Sequence, residues 1–195
     1  MNRPGFRLLL MPAAIAAALA CWSQSSLGAG FALTEQNTSG LGNAYVGAAA
    51  VAEDASTIFF NPAGMTRIRG RQVVGALSLI SPSMKFSDSG ESTVPGQSVG
   101  LQTPGGGNGG NAGDLAAVPS AYLSWEVQPN SVWLGIGVNA PFGLSTEWDT
   151  GWVGRFHAIE SSIETININP SIAWKVNEQL SLGAGFSAQK MKATL

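Results

Sequence analysis

Charge is scarce in this 195-residue chain: Asp, Glu, Lys and Arg together make up 11% of it, against about 25% in an ordinary soluble domain. Histidine occurs once, as His157, and cysteine once, as Cys21. A single histidine cannot build a multi-histidine metal centre, and a single cysteine cannot close an internal disulfide. Ten Lys and Arg stand against twelve Asp and Glu, so there is no basic excess to draw nucleic acid. Beyond residue 20 no apolar run approaches the roughly 20 residues of a spanning helix. Low charge without a helical span points to strands that face lipid on one side.

The first residues carry Arg3 and Arg7 and no acid, followed by an apolar run over 8–20 broken only by Pro12. This is the charged and apolar order of a secretory signal, too short to cross a bilayer. Ser26 and Gly28 place small side chains where a cleavage after Gly28 needs them. The expected signal peptide is therefore 1–28. Ala18-Leu19-Ala20-Cys21 resembles a lipoprotein signal only loosely, because Ala18 stands where leucine is usual. Cleavage after Gly28 removes Cys21 and excludes thiol catalysis and cysteine metal ligation. It also removes Arg3 and Arg7, leaving 8 basic against 12 acidic residues, a net charge of −4.

From residue 71 onward the apolar residues alternate with period two, the signature of strands with unlike faces. Val132, Leu134, Ile136 and Val138 oppose Trp133, Gly135, Gly137 and Asn139; Ile166, Ile168, Ile172 and Trp174 oppose Thr165, Asn167, Asn169 and Ser171. Five strands are expected, over 72–87, 115–127, 132–142, 162–175 and 180–195, the first noisier and containing Pro82. A soluble sandwich with one wet face also alternates. The connections decide: 128–131 and 176–179 are short, whereas 88–114 and 143–161 are long, as in a transmembrane barrel. Trp125, Trp133, Phe142 and Trp174, near strand ends, are candidates for interfacial girdles. Closed bacterial barrels have an even number of strands, about eight or more, and an open edge in lipid leaves backbone groups unpaired. The chain therefore reads as the N-terminal part of a longer barrel and is not expected to form a stable pore alone. The fold class is all-β, a transmembrane antiparallel barrel over 71–195 with an N-terminal plug over 29–70 containing short helices.

Within that plug, residues 40–64 concentrate small side chains, the acidic pair Glu53 and Asp54, and the turn Asn61-Pro62-Ala63. Pro62 fixes its own φ and drives Asn61 toward extended geometry, while Ala63 and Gly64 permit another element to approach closely. The turn either ends a plug helix or touches the barrel wall. The run 105–113 is glycine-rich but lacks the Gly-Lys-Ser/Thr ending of a phosphate loop, so a flexible outer loop is expected. Asn37-Thr38-Ser39 matches a glycosylation acceptor but falls within the plug of a bacterial-type export product. Arg155, in a sparsely charged loop, is a candidate for a carboxylate, against a structural ion pair with Glu160. His157 would need Ser161 or Ser162 and an acid to form a hydrolytic triad, and no nucleophile motif surrounds it.

In order along the chain stand Ala29-Gly30-Phe31-Ala32-Leu33, Ser39-Gly40-Leu41-Gly42-Asn43-Ala44, Asn61-Pro62-Ala63, Gly151-Trp152-Val153-Gly154-Arg155-Phe156 and Asn167-Ile168-Asn169-Pro170-Ser171-Ile172-Ala173. Together they resemble the outer-membrane long-chain fatty-acid transporter family (FadL-type), including its aromatic-hydrocarbon uptake members. The resemblance implies a fourteen-stranded barrel closed by an N-terminal hatch, passive uptake of hydrophobic compounds, and a lateral exit through the wall. It implies that Asn61, Pro62 and Ala63 lie beside a kink in the third strand, with Asn139, Pro141 and Gly143 as kink candidates, and that Phe31 lies near an internal ligand pocket. The implied partners are a hydrophobic small molecule and outer-membrane lipid, with no cofactor, no metal and no catalytic residue; the implied location is the outer membrane. Two other functions compete: an adhesion or structural barrel using the glycine-rich loop, and an outer-membrane lipid hydrolase using His157.

Overall fold

The computed structural model describes residues 32–89 and 106–195; residues 1–31 and 90–105, and with them Phe31 and the expected signal peptide, lie outside the described residues. Seven strands form one antiparallel sheet: β1 (Arg71–Ile80), β2 (Ala116–Gln128), β3 (Val132–Asn139), β4 (Gly143–Glu147), β5 (Glu160–Lys175), β6 (Ser181–Gly185) and β7 (Ala188–Thr194). β1 pairs with β2, β2 with β3, and β5 pairs with β3 and β4 along one edge and with β6 and β7 along the other. The described sheet is not closed.

The five expected strands become seven for two different reasons: the last is interrupted, and β4 occupies residues 143–147, where a long connection was expected. Between β6 and β7 the register with β5 does not change: Ser171 faces Gly185 and Ile168 faces Ala188. What is missing is a donor, since Pro170 on β5 has no N–H to give the ladder. Between β3 and β4 the register does change. Asn139 faces Asn167, but Gly143 faces Glu164, so residues 140–142 answer to only two residues of β5. That is a one-residue bulge. β1 ends at Ile80, two residues before Pro82 and short of the expected 72–87.

Strand parity sorts the side chains into two unlike faces. One buries Ser120, Tyr122, Ser124, Trp133, Asn139, Thr165, Asn167, Asn169, Ser171 and Ala173. The other exposes Val73, Leu77, Leu123, Trp125, Leu134, Ile136, Val138, Ile166, Ile168, Ile172, Trp174 and Leu182. A continuous exposed apolar face of this extent is a membrane surface rather than a wet one. On β5 it runs from Ile166 to Trp174, about 26 Å of strand at ~3.3 Å per residue, or about 20 Å along the normal at a ~40° tilt, close to the ~25 Å apolar band of an outer-membrane barrel. At the turn end of this face Trp125 lies under the Arg71 guanidinium, 4.1 Å from ring centroid to Cζ. Trp133, expected in a girdle, has the opposite parity. It is buried, and its Nε1 donates to the Ile68 carbonyl at 2.7 Å.

The buried face is covered by residues 32–70, which carry α1 (Ala48–Val51), α2 (Thr57–Phe60) and 3-10 turns at Leu41–Asn43 and Pro62–Arg67. Helices this short have no independent stability; packing against the sheet holds them. Ile58 and Met65 join Ala55, Tyr122, Trp133 and Ala173 in the core. Two glycines let the covering segment sit this close. A Cβ on Gly135 would strike Met65 and Ile58, and one on Gly183 would strike the Ala63 backbone.

Candidate functional site

Three consecutive backbone carbonyls, at Ala140, Pro141 and Phe142, lose their ladder partners where β3 breaks from β4. In a wall facing hydrocarbon, each unpaired group is expensive. All three are satisfied from within the protein. The Gln36 Nε2 donates to the Ala140 carbonyl at 3.0 Å, and the Leu33 N–H donates to the Pro141 carbonyl at 2.9 Å. The Thr165 hydroxyl donates to the Phe142 carbonyl at 2.5 Å and accepts from the Phe142 N–H at 2.9 Å. One threonine side chain thus replaces both ladder bonds of Phe142.

The strap that supplies Leu33 and Gln36 is itself fixed to the wall. Its Gln36 carbonyl accepts from Ser120 Oγ at 2.9 Å and from Tyr122 Oη at 3.0 Å, and its Glu35 carbonyl accepts from Ser78 Oγ at 3.3 Å. Gln36 Nε2 also donates to the Leu33 carbonyl at 3.0 Å. Behind the break the buried side chains are neutral: Asn167 Nδ2 donates to Asn139 Oδ1 at 3.2 Å, and Asn139 Nδ2 to Tyr122 Oη at 3.5 Å.

The break leaves a mainly apolar cleft of about 680 Å³. Its lining takes residues from both faces of the sheet: Val138 and Ile166 from the exposed apolar face, Asn139 and Thr165 from the buried one, with Leu33 and Phe142 between them. Its chemistry is that of apolar solvation with a few neutral polar groups.

Of the sequence-derived kink residues, Asn139 is the last residue of β3, Pro141 lies inside the break, and Gly143 is the first residue of β4. Asn61-Pro62-Ala63 is not brought to them. Asn61 has φ −160° and ψ 99°, caps the following 3-10 turn by accepting from the Ala63 N–H at 3.1 Å, and donates from Nδ2 to the Ala49 carbonyl at 2.8 Å. Ala63 lies over Gly183 of β6, and Thr66 Oγ1 donates to Ser181 Oγ at 2.9 Å. Asn61, Ala63, Thr66 and Ser181 line a separate polar cavity of about 650 Å³ with Arg67, Asn130, Lys175 and Glu178. Asn130 lies in the tight β2–β3 turn, and Pro141 lies nine steps along the chain from Val132, about 30 Å if extended throughout. The segment that meets the break is Leu33–Gln36 instead, in a part of the chain with no turn motif.

Arg155 does not pair with Glu160. Its Nη1 donates to the Trp152 carbonyl at 3.0 Å, and its Cζ lies 4.6 Å from the Phe156 ring centroid. Among the described residues, no hydrogen bond joins the His157 side chain to Ser161, Ser162 or a carboxylate. The described part of the glycine-rich run, 106–113, is not a free loop. Gly107 exchanges backbone bonds with Gly151 and Val153 at 3.2 and 3.0 Å, and Ala112 accepts from Glu147 and donates to Met84 at 3.1 and 2.9 Å. Gly109, at φ 78°, passes over the stacked Trp148–Trp152 pair, whose ring centroids are 4.6 Å apart. Asn37 is buried, with Nδ2 donating to Ser56 Oγ at 2.6 Å, which leaves its amide unsuited to a glycan. Nearby, desolvation and, secondarily, the Glu35 charge push the Tyr45 hydroxyl up, so it stays a donor to the Asn37 carbonyl at 2.9 Å.

A model of the family described as outer membrane protein transport protein (OMPP1/FadL/TodX) matches residues 19–195. The long-chain fatty acid transport protein of Escherichia coli O6:H1 is 31% identical over 189 residues, which cover 97% of this chain and 40% of that protein. Outer membrane protein P1 of Haemophilus influenzae is 35% identical over 171 residues, covering 85% and 37% respectively. The crystal structure of a Pseudomonas aeruginosa FadL homologue superposes with a TM-score of 0.63 at 30% identity, over 84% of this chain and 38% of that one. The chain spans about two-fifths of the length of the curated relatives it matches.

Proposed function

The chain belongs to the OMPP1/FadL/TodX family of outer-membrane transport proteins, and from that premise we propose that the protein it represents carries hydrophobic compounds passively across the outer membrane, with residues 32–70 as hatch and the β3–β4 break as a sideways exit. One observation carries the reading. The wall is interrupted at 140–142, its backbone is satisfied from the inner side by Leu33, Gln36 and Thr165, and the resulting cleft is mainly apolar and lined by residues of both faces. A greasy solute gains about 0.8 kcal/mol per CH₂ removed from water. An apolar gap leading from lumen to lipid keeps that gain along the whole route, which a water-filled pore would forfeit.

The register gives the test. Deleting Pro141 removes the extra residue of the bulge, lets β3 run on into β4 against β5, and seals the cleft. Uptake of labelled oleate and toluene is measured in uptake-deficient cells carrying the full-length gene. The deletion variant, still folded in the membrane, is expected to lose at least about tenfold in uptake, a barrier rise of ~1.4 kcal/mol. Unchanged uptake by a folded deletion variant rejects the lateral exit. No uptake by the parent protein rejects transport itself.

A further inference from the structure

Resting on the reading that ligand leaves through the β3–β4 cleft, we infer that the cleft passes uncharged headgroups and holds back an ionised carboxylate, and that Asp114 and Glu164 set this preference. Both charged residues in its lining are acids, Asp114 before β2 and Glu164 on β5; no Lys, Arg or His lines it. Lys190 and Lys192 stand on β7, beyond β5, facing Ile166 and Glu164 in register without entering the cleft lining. Among the described residues the ion pair formed is Lys175–Glu178, at the opposite end of β5. Within the lining itself a carboxylate meets like charge and no counter-ion.

The neutral groups behind the cleft have the same bias, and hydrogen-bond direction forces it. A backbone carbonyl can only accept, so Tyr122 must donate to Gln36. Tyr122 Oη then accepts from Asn139 Nδ2, and Asn139 Oδ1 accepts from Asn167 Nδ2. The relay ends on Asn167 Oδ1, a buried acceptor without a donor. Gln36 Nε2 donates to two carbonyls, leaving Gln36 Oε1 as a second buried acceptor without a donor. An ionised carboxylate is acceptor-only, whereas an alcohol or a protonated carboxyl brings a donor. Ser145 and Ser162, opposite one another and both in the lining, carry hydroxyls that both donate and accept and so favour neither form. An unpaired charge in an apolar passage is costly; the protonated acid, the alcohol and the bare hydrocarbon avoid that cost.

The experiment uses full-length protein in vesicles, with protein-free vesicles subtracted, and follows labelled palmitate and hexadecanol from pH 5.5 to 8. The palmitate-to-hexadecanol flux ratio is expected to fall by at least about tenfold as the carboxyl ionises, and the double variant Asp114→Asn with Glu164→Gln is expected to raise that ratio at pH 8. A ratio that is flat with pH, or one that the double variant leaves unchanged, overturns the inference while transport stands. Absence of protein-dependent flux of either compound overturns the transport reading, and this inference falls with it.

Discussion

Thr165 closes a gap that no main-chain group can reach, holding both the N–H and the carbonyl of Phe142 with one hydroxyl. Replacing it by valine keeps the shape and removes both bonds. Thr165→Val is therefore expected to cost about 1–3 kcal/mol for each orphaned group, read by equilibrium unfolding of the full-length protein in lipid, while Thr165→Ser stays close to the parent. Nothing in the sequence marks Thr165 for this work, because it looks like any polar residue on an inward parity. Pro141 and Gly143 are conspicuous in the sequence, but the residues that complete the break, Leu33 and Gln36, are distant in the chain and carry no motif. Conversely Asn61-Pro62-Ala63 is conspicuous because its backbone is constrained, and that constraint serves a local cap and a contact with β6. A sharp motif reports local geometry; its tertiary neighbour is a separate fact.

At the level of elements, period-two alternation located the strands apart from β4, which lies in the span 143–161 expected as a connection, since the membrane face and the inner face differ so plainly in polarity. The interruption at 186–187 escaped that analysis because its cause, Pro170, is on the neighbouring strand. The ordered path of 106–113 escaped because glycine enrichment has two meanings, freedom of the chain and closeness of approach, and composition does not tell them apart. Here closeness applies, since Gly109 lies over Trp148 and Trp152. The same property governs the seat of residues 62–67 on β6. Gly183→Val puts a side chain into the Ala63 backbone and is expected to cost about 1–3 kcal/mol by overpacking. Its readout is new trypsin cleavage at Arg67 or Arg69 in a barrel that still inserts; an unaltered cleavage pattern rejects the contact.

For the molecule as a whole, the controlling contrast is between two faces of one sheet. Ile136 faces Pro170, midway along the apolar stretch of β5, whereas Val132 faces Trp174 at its turn end. A lysine should therefore be costly at one position and nearly free at the other. Ile136→Lys is expected to lose about 2–4 kcal/mol of folding into lipid vesicles and Val132→Lys about 0–1, measured by urea titration of the full-length protein. Equal costs reject the assignment of the outer face.

The bulge at 140–142 sets more than the position of an opening. One added residue inverts the facing of everything that follows it in the strand, so Leu144 shares a side with Ile163 and Ser145 with Ser162. At the level of the gene, a continuous β3–β4 strand and a broken one differ by a single in-frame codon, and that codon also decides which of Leu144 and Ser145 meets the outside. Among related genes, loss or gain of a codon between those for Asn139 and Gly143 should accordingly travel with an exchange of apolar and polar residues across the next five positions.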